Sequence, residues 1–219
     1  MPPSALKQPP EDVAALQLHV SLNGIEPPIW RRFWVEDTIT LGRLHEVLQI
    51  VMGWESYHLH QFITGERFED RVFYTPPWDD GFGDPAFVAR QRDETRVKAR
   101  TLLPLVGDSA LYAYDLGDSW EHTLLLERVV LVDPLEQWLP WCLDGRRAAP
   151  PEDVGGTGGY AEFLEAIADP GHEEHAQMLE WGGDVDPERF DRRAVNTALW
   201  WWAKARGRHR RLRPDLADR

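Results

Sequence analysis

Apolar and polar positions alternate along LQLHVSL (16–22), the two-residue period of a strand with one buried face. Asn23-Gly24 follows, a strong turn signal. Beyond Pro27-Pro28, IWRRFWV (29–35) is rich in aromatic and β-branched residues and predicts a second strand. The period then changes. Leu41, Leu44, Val47, Leu48 and Val51 follow the i, i+3, i+4 spacing of a helix with one apolar stripe. Thr38 or Thr40 can cap its start and Gly53 its end. LHQFITG (59–65) predicts a third strand, so the opening order is strand, strand, helix, strand, as in a β-grasp sheet.

Residues 66–95 read as irregular, with FYTPPWDDGFGDP (73–85) a loop. TRVKARTLLPLVG predicts a short strand and a helical turn. LYAYD (111–115) and WEHTLLLERVVL (120–131) predict a hairpin joined through LGDS. After residue 133 the texture shifts. WLPWCLDGRRAAPPEDVGGTGGY (138–160) reads as loop, and helical patterns follow in YAEFLEAIADP, HEEHAQMLEWGG and DPERFDRRAVNTALWWWAKARG. The expected fold class is α+β: a mixed β-sheet core with a β-grasp-like ββαβ opening and a helical C-terminal section. The expected layout is a disordered segment at 1–12, a single α+β domain at 13–203 and a basic tail at 204–219. Within that domain, 13–132 form the sheet core and 133–203 the loop and helical section.

Composition narrows the function classes. With 42% hydrophobic and 28% charged residues, the 219-residue chain reads as globular rather than disordered. No apolar run approaches the roughly 20 residues of a membrane span. MPPSALKQPPED lacks the apolar core of a signal peptide, and Cys142, the single cysteine, allows no internal disulfide. A cytoplasmic location is the expectation. The net charge of −13 sits on the body, because KARGRHRRLRPDLADR (204–219) is basic. An acidic body repels phosphate backbones, so nucleic acid is disfavoured as a partner except through the tail. The tail reads more simply as a solvated end.

Several residues could carry chemistry. His58 and His60 are two apart, so on a strand they would share a face with Phe62. His122 lies on another strand beside Trp120. With a carboxylate from Asp115, Asp118 or Glu121, these three imidazoles would suit a divalent metal, zinc or manganese. Trp54 and Trp120 would form an apolar pocket wall. The plainer reading is a set of separate structural histidines, and His45, on the helix stripe, fits that reading. Ser119, Glu121 and His122 offer a hydroxyl, an acid and a base, but alternation sends Glu121 and His122 to opposite faces. The segment YDLGDSWEH (114–122) therefore reads first as a hairpin. Gly117 is expected in a strained backbone conformation, with Asp118 and Ser119 bonding the turn.

Pro150-Pro151-Glu152-Asp153 before Gly155-Gly156 predicts a rigid loop. Its carboxylates repel phosphate and can pair with Arg146 and Arg147. Trp200, Trp201 and Trp202 cannot share one helix face, so at least one should be exposed.

Four blocks, in this order, carry a resemblance: PPIWRRFWV (27–35), TLGRLHEVLQIVMGWESYHLHQF (40–62), YAYDLGDSWEHTLLLE (112–127) and CLDGRRAAPPEDVGGTGGYAEFLEAIADPGHEEH (142–175). Together they resemble the plasmid pRiA4b ORF-3-like family, some members of which carry a TnpR-type insertion-element label. The resemblance implies an α+β domain of plasmid or mobile-element context and no settled activity. No serine or tyrosine recombinase constellation accompanies it. It also implies cysteines at two positions where this chain has Ala149 and Val154, so any thiol chemistry of relatives is absent at those positions.

The leading expectation is a bacterial accessory protein that binds a protein or small-molecule partner. The alternative is a metal-dependent hydrolase built on His58, His60 and His122. A nucleic-acid adaptor acting through the tail ranks third.

Overall fold

The computed structural model describes residues 12–77, 88–134, 137–183 and 185–206. Most of the N-terminal segment, the loop beyond Pro77 and the tail beyond Arg206 lie outside the described residues.

The two hydrophobic periods produce the expected elements. Strands β1 (Val13–Leu22) and β2 (Trp30–Glu36) pair antiparallel, and helix α1 (Leu41–Met52) follows. Its stripe of Leu41, Leu44, Val47, Leu48 and Val51 is buried, and Gly53 ends it in a left-handed conformation at φ 91°. Thr40 is the N-cap but makes no side-chain cap bond. The Val97 carbonyl accepts from Leu41 N–H instead. Leu44 is completely buried, so truncation to alanine should cost about 2–5 kcal/mol.

Strand β3 (His60–Thr64) is followed by two strands in the region read as irregular. These are β4 (Val72–Thr75) and β5 (Gln91–Asp93), of four and three residues. Runs that short show no period. A short helix α2 (Ala99–Leu102) leads to the hairpin of β6 (Ser109–Tyr114) and β7 (Trp120–Val132). Strand β8 (Trp141–Arg146) forms within the stretch read as loop and pairs with β2 across a bulge. Its Asp144-Gly145 end hides the strand pattern. Gly145 is needed for packing, because a Cβ there would sit 2.6 Å from the Phe190 ring and 2.8 Å from Arg31 Cδ. Helices α3 (Gly156–Ala168), α4 (His175–Gly182) and α5 (Arg192–Ala205) complete the chain.

The strands form one mixed sheet in the order β5-β4-β3-β6-β7-β1-β2-β8, antiparallel except for β4 with β5. The fold class is therefore α+β, with the expected ββαβ order. In space, β6 and β7 lie between β1 and β3. The inward residues of β1, β2, β6 and β7 join α1, α3 and α5 in one core. Trp200 and Trp202 are buried in it, while Trp201 is 56% exposed. The opposite sheet face carries a small apolar cluster of Ala15, Val132 and Leu139, with Trp34 packed against it, and a polar ladder. Arg32 bonds both Glu127 oxygens at 2.6 and 2.7 Å, and Gln17 links Glu127 to Trp34 Nε1. No helix among the described residues is long and apolar enough to cross a membrane.

Candidate metal centre

Tyr112 and Tyr114 point inward from β6, and two histidine clusters form beside them. The first is buried. Gln49 Nε2 donates to the Tyr112 hydroxyl at 2.9 Å, so that hydroxyl turns its own proton to His45 Nδ1 at 2.8 Å. His45 must then carry its proton on Nε2, which faces Ser56 Oγ at 2.7 Å. Ser56 N–H closes the ring on Gln49 Oε1 at 2.9 Å. This ring holds Ser56 at φ 62° and so pins the loop from α1 to β3.

His60 stacks face to face on His45, with centroids 3.4 Å apart, and bonds Glu94 at 2.9 Å. Burial, helped by the neighbouring His60, lowers the His45 pKa from 6.5 to about 3. His122 is fully buried and donates Nδ1–H to the Tyr112 carbonyl at 3.1 Å. Its Nε2 has no partner, and burial lowers its pKa to about 4.

The second cluster is at the surface. His58 precedes β3 rather than belonging to it, so the two-residue alternation does not apply, and it does not join His60. Its Nε2 lies 3.2 Å from Asp153 Oδ1, 3.6 Å from Asp115 Oδ2 and 3.8 Å from Glu152 Oε2. That nitrogen is buried and makes no hydrogen bond. Ligand atoms of His58, Asp115 and Asp153 all lie within 4.8 Å of one another.

Two of the carboxylates are oriented by their other oxygen. Asp115 Oδ1 accepts from Gly117 N–H at 3.0 Å and Asp118 N–H at 3.2 Å, which leaves Oδ2 toward His58. Glu152 Oε1 accepts from Glu55 N–H and the Tyr114 hydroxyl, each at 2.9 Å, which leaves Oε2 toward His58. Such orientation is what a preorganised ligand set requires. Asp115 and Asp153 both sit in left-handed backbone, at φ 51° and 58°.

Two loops meet to build this arrangement. Asp118 Oδ2 accepts from Gly155 N–H at 2.9 Å. Gly156 lies so close that a Cβ would sit 2.6 Å from the Asp118 carbonyl oxygen. Trp54 Nε1 donates to the Pro150 carbonyl at 2.9 Å.

The expected trio of His58, His60 and His122 is therefore not one ligand set. His60 is engaged by Glu94, and His122 is enclosed in the core between β6 and Trp54. Trp54 and Trp120 are core residues rather than walls of an open pocket, 6% and 1% exposed. Trp54 stacks on Tyr114, whose ring meets His58 edge-on at 5.9 Å. The expected role of Gly117 also changes. The left-handed residues of the turn are Asp115 and Ser119, and Asp115, not Asp118, bonds its backbone. Arg147 pairs with Glu188 at 2.8 Å instead of the loop carboxylates. Glu152 and Asp153 went unrecognised as ligands because they are nearly 100 residues from His58 in sequence. The one available signal was an acidic pair in a rigid Pro-Gly loop.

The comparisons agree with the resemblance noted in the sequence. The profile of the plasmid pRiA4b ORF-3-like protein family matches residues 14–194. The uncharacterised protein y4hQ of Sinorhizobium fredii is 42% identical over 184 residues, covering 84% of this chain and 87% of that protein. The crystal structure of MM3350, a protein of unknown function from Methanosarcina mazei Go1, superposes with a TM-score of 0.72 at 34% identity. It covers 84% of this chain and 97% of that one.

Proposed function

This chain belongs to the plasmid pRiA4b ORF-3-like family, and we propose that it is a binding protein that holds a divalent cation at His58, Asp115, Glu152 and Asp153. One observation carries the reading. His58 Nε2 is buried without a hydrogen bond, and carboxylate oxygens face it at 3.2, 3.6 and 3.8 Å. Donors about 2.1 Å from a shared tetrahedral zinc ion stand roughly 3.4 Å apart, so these spacings suit neighbouring ligands of one cation. They are long for charge-assisted hydrogen bonds, which run to about 2.9 Å.

One imidazole with several carboxylates suits Mn²⁺ or Zn²⁺. The ion would neutralise carboxylates that otherwise repel one another, and Asp153, 68% exposed, leaves room for water or a partner's donor atom. The hydrolase alternative keeps only His58 at this centre. A plasmid or mobile-element role and a protein or small-molecule partner remain part of the proposal, resting on the family resemblance.

The test is calorimetric titration of chelator-treated protein with MnCl₂ and ZnCl₂. One ion should bind stoichiometrically, and Asp115→Asn should weaken it at least about tenfold. Absence of stoichiometric uptake of either ion would overturn the reading.

A further inference from the structure

A cleft of about 360 Å³ lies between α3 and α4 beside the Asp153 loop. Its size is at the lower end of small-ligand pockets. The two helices are tied together where His175 Nδ1–H donates to the Ala166 carbonyl at 2.8 Å. Phe163, Met178 and Trp181 supply its apolar wall, and Glu162, Glu174 and Asp153 its acidic rim. Gly182 brings the end of α4 directly onto Phe163, since a Cβ there would sit 2.7 Å from that ring. Trp181 consequently meets Phe163 edge-on at 5.8 Å while remaining 48% exposed.

Two features of this cleft are unusual together. Helix α4 buries none of its side chains fully and leaves Trp181, which lines the cleft, about half in solvent. Among the described residues, no cation pairs with Glu162 or Glu174. An anion would be repelled here. A neutral apolar ligand would cover the indole but make no use of the exposed carboxylates at the rim. A cation with no apolar body would leave the indole exposed.

The geometry points to an amine-binding site: the α3–α4 cleft takes a primary ammonium group carried on an apolar body the size of an aromatic ring. The ammonium group sits at Glu162 and Glu174. The ring lies against Trp181 and Met178, where the indole also attracts the cation. This site is separate from the metal centre, although Asp153 borders both.

Full-length protein is titrated calorimetrically with phenethylamine hydrochloride. The parallel arms are 2-phenylethanol, phenylacetate and ethylamine. Phenethylamine should bind saturably at one site, with each control at least about tenfold weaker. Trp181→Ala, and Glu162→Gln combined with Glu174→Gln, should each weaken phenethylamine at least about tenfold. These side chains are on the surface, and an unchanged circular dichroism spectrum checks their folding. His58→Ala should leave the amine affinity unchanged. The proposal is overturned if phenethylamine does not saturate below about 10 mM, if 2-phenylethanol binds equally well, or if the double variant binds normally. Loss of amine binding in His58→Ala would move the amine to the metal centre and overturn the separate cleft. Failure of metal uptake with retained amine binding would sink the metal reading alone.

Discussion

Two histidine clusters flank the β6 tyrosines, and their hydrogen-bond accounts differ. In the buried ring of His45, Tyr112, Gln49 and Ser56, both His45 nitrogens have a partner at hydrogen-bond distance, and one tautomer satisfies the set. At the surface, the Nε2 of His58 faces three carboxylates and bonds none of them. A closed network of neutral groups stabilises a fold and has no capacity left for a ligand. A buried imidazole nitrogen that faces converging carboxylates and bonds none of them offers, with them, a set of ligand atoms for a cation. The two clusters are joined, because Ser56 belongs to the ring and lies two residues before His58. The buried cluster thus positions the loop that the surface cluster uses.

The largest effect expected from this contrast is on binding. His58→Ala should reduce Mn²⁺ or Zn²⁺ affinity at least about 100-fold, near 2.7 kcal/mol. Its unfolding free energy should fall by less than about 1 kcal/mol. Titration calorimetry and urea unfolding measure the two sides. A large stability loss with intact metal uptake would reverse the assignments.

Acid should affect the buried side next. Burial lowers the pKa of His122 from 6.5 to about 4 and that of His45 to about 3. As pH falls below 6.5 the unfolded chain takes up protons that the folded chain refuses. Stability is therefore full above about pH 6.5 and is lost progressively toward pH 4 and below. For His122 the loss between pH 7.5 and 5 should be about 2 kcal/mol. Urea unfolding of His122→Leu at both pH values should show a pH dependence smaller by that amount.

Tyr112→Phe should cost about 1–2 kcal/mol, because it removes the proton that His45 Nδ1 accepts and leaves Gln49 Nε2 without its acceptor. Chemical denaturation measures that cost. Metal affinity should fall only as far as the Ser56 loop loosens. The smallest effect is expected on the solvated sheet face. Arg32→Ala breaks a bidentate pair with Glu127 that is partly exposed on both sides, and it should cost less than about 1 kcal/mol. A larger cost would mean that this polar ladder contributes more than exposed pairs usually do.

The elements that were legible in the sequence are those whose burial repeats. The stripe of α1 and the alternation of β1, β2 and β7 are periodic because one face of each meets the core. β4 and β5 are too short to repeat, and β8 is disguised by Asp144-Gly145, where close packing on Phe190 leaves no room for a side chain. Of the site, His58 and Asp115 were singled out from composition and spacing. His60 was grouped with His58 because strand alternation was carried too far, into the loop before β3, and His122 because the sheet was expected to bring its strand near. Glu152 and Asp153 carried no ligand spacing at all.

Hydrophobic period, composition and four ordered blocks determined the α+β class, the ββαβ order, the 114–122 hairpin and the family. These are local properties, or sums over the chain, and the sequence contains them directly. The tertiary structure alone decided which histidine faces solvent and which carboxylates reach it. That choice depends on two contacts made over long sequence separations: the Gly155–Asp118 bond and the close approach of Gly156 to the hairpin. Neither leaves a periodic trace, because a single glycine that permits close approach looks the same in sequence as one that only turns the chain.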